Sequence, residues 1–481
     1  MPATRFPSLV FSLLLVFPFL CQMVQAEKPN VLFIISDDLG SQSLGCYGNQ
    51  QCHSPSIDAL ASQGMKFERT FTQYPVCGPS RASLMSGMYA QAIGVTSNGA
   101  SDKFTGNLGD RPSMSQHFKD NGYYTARVSK IYHMRVPGDI TAGVDGPDHA
   151  ASWTERFNCK APEQWSEGEH THLTKERLKP DPKRQIHYGL GYGGAFYVVK
   201  TPGDGAEQAD MKASAKAIEI LEARAKDKQP FFLAVGLVRP HVPLVAPASF
   251  FEDYPAEKMN LPKQLEGDWD DIPKAGIVKN SRGSGLDTQL KKQKVLEAYY
   301  ASVTFMDAQV GKMVAALDRL GLDKNTIVVF TADHGYHLGE HEFWQKMSLH
   351  EESTRIPLIV RVPGKDATAT TALSQQIDIY PTLAQLCGLS IPEHIQGKSL
   401  ASTWSDPQAM IHDEVYTLRN RNDHLLRTDR WALIRYGNDS VELYDMQNDP
   451  QQFHNLAQDP QHAAALAELQ SRLDKKLESI Q

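Results

Sequence analysis

Four short apolar runs stand at wide intervals along the chain: Asn30–Ser36 (NVLFIIS), Phe231–Val238 (FFLAVGLV), Thr326–Thr331 (TIVVFT) and Ile356–Val362 (IPLIVRV). Each is nearly continuous rather than alternating, as a strand buried on both faces of a parallel sheet should be. Between the second and third runs, Val295, Ala298, Tyr299, Val303, Met306, Val310, Met313, Val314 and Leu317 recur at helical spacing, and Gly321 supplies a stop. Strands alternating with helices predict an α/β fold, a large and mostly parallel sheet sandwiched by helices. Ligands of such sheets gather beyond the carboxyl ends of the strands. Asp37-Asp38 and Asp333-His334 directly follow two of the runs.

The pattern breaks twice, from Gly138 to Gly205 and from Tyr254 to Lys292, where charge, Gly and Pro dominate. These read as surface excursions that shape a pocket, or as passive insertions. After Gly397 the segments Glu414–Leu418, Leu425–Arg427, Trp431–Tyr436 and Glu442–Tyr444 predict short strands, and an Ala-, Leu- and Lys-rich helix closes the chain. A main domain over residues 27–405 and a C-terminal subdomain over 406–481, a small antiparallel sheet plus one helix, are expected.

With 481 residues, 41% of them hydrophobic, the chain can bury a large core. Its net charge of −7 argues against nucleic-acid binding. Residues 1–26 read as a secretory signal: Arg5, the apolar run Leu9–Leu20, and Val24-Gln25-Ala26 as a cleavage site. No later segment is long and apolar enough for a membrane span, so an exported protein, periplasmic or secreted, is expected. Five cysteines follow the signal: Cys46, Cys52, Cys77, Cys159 and Cys387. An odd number singles one out, and Cys77 is the obvious candidate. Cys46 and Cys52 are near enough in sequence to bridge, though spacing alone does not fix connectivity. The single sequon, Asn438-Asp439-Ser440, leans towards a bacterial source.

Candidate chemistry concentrates in a few places. Three carboxylates, Asp37, Asp38 and Asp333, favour a hard divalent cation such as Ca²⁺ or Mg²⁺ over Zn²⁺. Adjacent acidic pairs are commonly solvated turns, but these follow buried strands. Lys130 and His133 lie three residues apart, as on one side of a helical turn. In Arg239-Pro240-His241-Val242-Pro243 the prolines stiffen a strand exit and direct His241. Lys346 follows Asp333-His334-Gly335 closely enough to reach back to the same place.

The run Cys77-Gly78-Pro79-Ser80-Arg81, with Gly87 six residues on, resembles the sulfatase signature C-x-P-S-R-x-x-x-x-x-G. There a maturation enzyme oxidises the cysteine to formylglycine. A hydrated aldehyde offers two hydroxyls on one carbon, one to attack sulfur and one whose deprotonation later expels the sulfate. Pro79 and Ser80 sit where a helix would begin, and Arg81 would face developing negative charge. Met85 and Ser86 depart mildly from the usual Leu and Thr.

Together, Asn30–Asp38, Cys77–Gly87, Lys130–His133, Phe231–Pro243, Thr331–Lys346, Asp378–Leu389 and Leu443–Ala457 resemble the sulfatase family, most closely its iduronate 2-sulfatase branch. The resemblance implies an alkaline phosphatase-like fold and a metal held by Asp37, Asp38, Asp333 and His334 with formylglycine 77. It implies that Arg81 and Lys130 hold the hydrate, that Lys346 and His241 grip the sulfate with His241 as proton donor, and that His133 assists breakdown of the sulfated hydrate. The implied partners are a sulfated carbohydrate and a formylglycine-generating enzyme. Tyr336 stands where the iduronate enzyme has Trp, an aromatic expected at the sugar. A phosphodiesterase or phosphonate hydrolase of related fold and a catalytically silent carbohydrate-binding relative are the competing readings.

Overall fold

The computed structural model describes residues 1–3, 28–175 and 195–480. The expected signal, with Arg5, lies almost wholly outside the described residues. The central layer is an eight-stranded sheet. In sheet order its strands are β13 (Thr368–Gln375), β2 (Met65–Phe71), β12 (Arg355–Arg361), β9 (Thr326–Ala332), β1 (Asn30–Asp37), β7 (Phe231–Pro240), β3 (Tyr124–Ser129) and β4 (Glu155–Phe157). All neighbours are parallel except β12, which runs antiparallel to both β9 and β2. The Ile356–Val362 run is therefore the one apolar run of the four that is not a parallel strand. Hydrophobic continuity reports burial on two faces and carries no information on strand direction.

Alternation along β1 shows why the run is continuous. Leu32 and Ile34 enter one core with Leu233, Val303 and Met306, whereas Val31, Phe33 and Ile35 enter another with Leu84, Phe118 and Leu383. The first face is covered by the helices Ala209–Arg224 and Gln289–Leu320, the latter closed by Gly321 in the left-handed region at φ 69°. The second is covered by Cys77–Ser86 and Ile379–Leu386. Deleting one such ring, as in Phe33→Ala, costs about 3–5 kcal/mol.

The 138–205 stretch is more structured than its composition suggests. It supplies the edge strand β4 and the strands β5 (Glu169–His172) and β6 (Tyr197–Thr201), which form a small sheet with β8 (Leu244–Pro247). A two-residue ladder, β10 (His337–Leu338) with β11 (Trp344–Gln345), follows β9. The C-terminal strands β14 (Glu414–Arg419), β15 (Asp423–Thr428), β16 (Trp431–Arg435) and β17 (Val441–Asp445) form an antiparallel meander. Leu469 and Leu473 of the helix Ala463–Ser479 pack on it, in a cluster that also holds Tyr74 and Val76. The subdomain is thereby seated beside Cys77. The five cysteines Cys46, Cys52, Cys77, Cys159 and Cys387 are free, so the suggested Cys46–Cys52 bridge is absent. No helix among the described residues is long and apolar enough to cross a membrane.

Candidate active site

Four adjacent parallel strands, β9, β1, β7 and β3, end at the same edge of the sheet, and each delivers a polar group there. Strands lie about 4.8 Å apart, so residues far apart in sequence meet within one small volume. Asp37 ends β1 and Asp38 follows it at φ 63°. Asp333 and His334 follow β9, His241 follows β7, and Lys130 and His133 follow β3. Ligand atoms of Asp37, Asp38 and Asp333 lie within 4.8 Å of one another, as do those of Asp38, Cys77 and His334, and of Asp37, Cys77 and His241. All six residues are buried.

Cys77 enters from the second face, as the first residue of the helix Cys77–Ser86, which Gly87 ends at φ 69°. Its Sγ is 3.3 Å from His334 Nε2, 3.3 Å from Lys346 Nζ and 3.7 Å from Asp38 Oδ1. Burial pushes the thiol pKa up, Asp37 adds to the rise, and Lys130 and Lys346 oppose it. Asn98 Oδ1 accepts the Gly78 N–H at 2.8 Å, and Ser80 Oγ donates to the Asp333 carbonyl. The start of the helix is thus tied to the end of β9.

Three cations answer the three carboxylates. Arg81 Nε donates to Asp333 Oδ2 at 2.9 Å and Nη2 to Asp37 Oδ1 at 3.3 Å, while Nη1 donates to the Lys130 and Ile131 carbonyls. Lys130 Nζ donates to Asp37 Oδ2 and Lys346 Nζ to Asp38 Oδ1, each at 2.5 Å. Arg81 therefore clamps the carboxylates and the Lys130 segment, rather than directing its donors at the Cys77 sulfur. Burial alone would raise the pKa of Asp37 and Asp38, but the neighbouring cations overcome it. Lys130, His241 and Arg81 hold Asp37 well below the usual carboxylate range, and His241 and Lys346 do the same for Asp38. Asp333 is pushed up by burial despite His334 and Arg81.

Both central imidazoles carry a proton on Nδ1. His334 Nδ1 meets the Gly335 carbonyl at 2.9 Å, and His241 Nδ1 meets the Val242 carbonyl at 2.5 Å. A carbonyl only accepts, so the proton sits on Nδ1 and Nε2 faces the cluster. His334 Nε2 lies 3.2 Å from Asp38 Oδ1, and His241 Nε2 lies 3.8 Å from Asp38 Oδ2. Burial lowers the His241 pKa to about 4, against the pull of Asp38 and Asp37. Burial and then Lys130 hold His133 well below its ordinary value, and its Nδ1 has no hydrogen-bond partner among the described residues. For His334, burial is outweighed by Asp333 and Cys77, which hold the pKa well above the ordinary value.

The cluster fits a hard cation. Asp38 Oδ2 is buried without a hydrogen bond among the described residues, the carboxylates of Asp37 and Asp333 gather with that of Asp38, and His334 turns Nε2 to the cluster while its opposite nitrogen is anchored, as metal-ligating histidines have it.

Some expectations needed correction. Lys130–His133 forms no helical turn; Ser129 at φ 60° turns the chain into an irregular segment instead. Tyr336 is buried and stacks on Tyr299 at 5.3 Å, so it presents no open face to solvent. Several contributors went unnoticed. Tyr299 donates to the Asp38 carbonyl at 2.7 Å, although it reads as one more apolar position of its helix. Gln376 Nε2 donates to the Ala332 and Asp333 carbonyls at 2.9 and 3.1 Å. At Gly236, in the middle of β7, a Cβ would stand 1.9 Å from the Lys130 carbonyl oxygen. A glycine inside an apolar strand is the sequence signal for such a close approach.

Comparison with known proteins now decides between chemistries that share this geometry. The model of the family described as Sulfatase matches residues 29–389, and that of the N-sulphoglucosamine sulphohydrolase C-terminal region matches 339–479. The chain belongs to the sulfatase family. Among its relatives, human iduronate 2-sulfatase is 34% identical over 405 residues, covering 76% of this chain and 70% of that one. A Formosa agariphila protein named Sulfatase is 29% identical, covering 94% and 87%. Among solved structures, a phosphonate monoester hydrolase from Silicibacter pomeroyi superposes with a TM-score of 0.75 at 23% identity, covering 94% of this chain and 96% of that one. At that identity the likeness shows the fold alone. This sulfatase is a sulfuric ester hydrolase whose relatives include enzymes acting on sulfated carbohydrates.

Proposed function

We propose that this sulfatase removes sulfate from a sulfated carbohydrate of the iduronate 2-sulfate type, using residue 77 as formylglycine. The observation that carries the reading is the position of Cys77 Sγ, 3.3 Å from both His334 Nε2 and Lys346 Nζ at the rim of the carboxylate cluster. Residue 77 as the aldehyde hydrate supplies one hydroxyl for attack on sulfur and a second whose deprotonation releases sulfate. Asp37, Asp38, Asp333 and His334 would hold a divalent cation, Ca²⁺ or alternatively Mg²⁺, which would supply positive charge to the reacting ester.

Charge balance supports the reading. The carboxylates of Asp37, Asp38 and Asp333 are matched by Arg81, Lys130 and Lys346. A dication leaves the pocket at +2, and an ester monoanion with a deprotonated nucleophile brings −2. Catalysis of this kind is positioning plus preorganised charge. Lys130, pinned by Asp37, orients residue 77, and Lys346 faces both residue 77 and the incoming sulfate. His241 donates a proton to the departing sugar oxygen, since an anionic ester beside it raises its proton affinity. His133, kept neutral by burial, accepts the hydrate proton. Export to the periplasm or medium and oxidation of Cys77 by a formylglycine-generating enzyme complete the proposal.

The second reading is a phosphodiesterase or phosphonate hydrolase built on the same fold. Enzyme coexpressed with a formylglycine-generating enzyme should hydrolyse 4-nitrophenyl sulfate faster than the phosphate, and its Cys77 peptide should carry the aldehyde mass. Faster phosphate turnover, or an unconverted thiol in fully active enzyme, refutes the proposal.

A further inference from the structure

A cleft of about 750 Å³ opens beside Lys346, and its far wall belongs to the C-terminal sheet. Tyr74, Asn98 and Lys346 line the catalytic side, while Asn420, Arg421 and Asp423 line the other from the turn between β14 and β15. This turn is locked in place. Arg419 donates from Nη1 to the Met347 carbonyl at 3.0 Å and from Nη2 to the Ala275 carbonyl at 2.7 Å, and it pairs with Asp423 at 2.9 Å. Asp423 accepts further from Asn420 Nδ2 at 2.7 Å and from the Gly437 N–H at 3.0 Å. The tip of the hairpin is thus anchored to backbone one residue from Lys346.

Charge accounting along the cleft leaves one group over. Lys346 is matched by Asp38, and Asp423 by Arg419. Arg421 is exposed and makes no hydrogen bond or ion pair among the described residues. A rigid turn therefore presents an uncompensated guanidinium at the mouth of the cleft that leads to Lys346. A guanidinium offers a planar fork that fits a carboxylate or a sulfate with two parallel hydrogen bonds. We propose that Arg421 is a specificity-determining residue that recognises a second anionic group on the sugar bearing the scissile sulfate, or on the sugar next to it. The inference rests on the sulfatase reading of the adjoining site, and it makes the substrate a polyanionic glycan rather than a singly charged ester.

The test measures kcat/KM for wild type, R421A and R421K on two substrate pairs. One pair is a sulfated uronate-containing disaccharide and its carboxylate methyl ester; the other is a disulfated hexosamine and its monosulfated counterpart. Wild type should prefer the member with the extra anion in at least one pair, and the pair that responds tells carboxylate from sulfate. R421A should reduce that preference roughly tenfold, the worth of one charge-assisted contact, and R421K should keep part of it. Added salt should erode the preference in wild type and leave R421A little changed. Equal preferences in wild type and R421A, or none in wild type, overturn the inference while sulfate-ester turnover leaves the sulfatase reading intact. Turnover of phosphate esters without sulfate esters overturns both.

Discussion

Replacing Gly236 by alanine probes how tightly the Lys130 segment is packed on the sheet. The new Cβ would stand 1.9 Å from the Lys130 carbonyl oxygen, 2.2 Å from its carbon and 2.8 Å from its Cα. Non-bonded carbon and oxygen need about 3.2–3.5 Å, so the backbone must retreat by more than about 1 Å. No side-chain rotation relieves the clash, because every atom involved is main chain. The same carbonyl accepts from Arg81 Nη1, and the same residue reaches Asp37 through Nζ. Retreat would loosen both contacts. Overpacking costs about 1–3 kcal/mol, and a weakened buried charged hydrogen bond adds about 1.5–3 kcal/mol. Displacement of about 1 Å at a catalytic group lowers kcat by about 10²-fold. The control is G106A in the helix Phe104–Leu108, where no atom of the described residues lies within 4 Å of the added methyl. It should stabilise the protein by up to about 1 kcal/mol. Thermal unfolding and turnover of 4-nitrophenyl sulfate read both effects. A G236A enzyme with wild-type midpoint and wild-type kcat would refute the close-approach argument.

Chelation by EDTA should abolish turnover and Ca²⁺ should restore it, with D38N requiring more Ca²⁺ than wild type; full activity in metal-free enzyme would count against the cluster as a cation site. His341 supplies a prediction away from the chemistry. Burial opposes its charge, but the Asp268 carboxylate at 2.9 Å, with Glu352 and Glu340 nearby, raises its pKa to about 9. A pKa above the unfolded value near 6.5 gives stability that is full below pH 6.5 and disappears as pH rises through about 9. That is worth about 3 kcal/mol at most. H341Q should therefore unfold at lower temperature than wild type at pH 6, with the gap closing by pH 10. A gap independent of pH would contradict the ion pair.

Much of the fold could be read from the chain because burial on two faces leaves a local trace. Asn30–Ser36 is unbroken because Leu32 and Phe33 enter different cores. The long helix from Gln289 was visible in its period and in Gly321. The direction of β12 was not, because sidedness is the same for either direction. The edge strand β4 was hidden by its polar sequence, Glu155-Arg156-Phe157, which an edge position tolerates.

The residues of the site were legible as types: paired aspartates after buried strands, a signature around Cys77, and lysines and histidines in stiff contexts. Sequence alone determined which atoms were available, since carboxylates, imidazoles and a convertible thiol have fixed chemistry wherever they lie. Only the tertiary structure decided their partners. Arg81 was expected to face the reacting group, yet it spans Asp37 and Asp333, residues that lie 44 and 252 positions away. Tyr299, Gln376 and Gly236 gained their roles through contacts with Asp38, Asp333 and Lys130. Arg421 stands apart from Arg419 because one guanidinium closes on Asp423 and the backbone while the other, two residues on, forms no hydrogen bond or ion pair among the described residues. The physical reason is common to all these cases. A hydrogen bond or a clash acts over a few ångströms, and the fold, through the parallel strand ends that bring distant segments to one edge, sets which groups come that close.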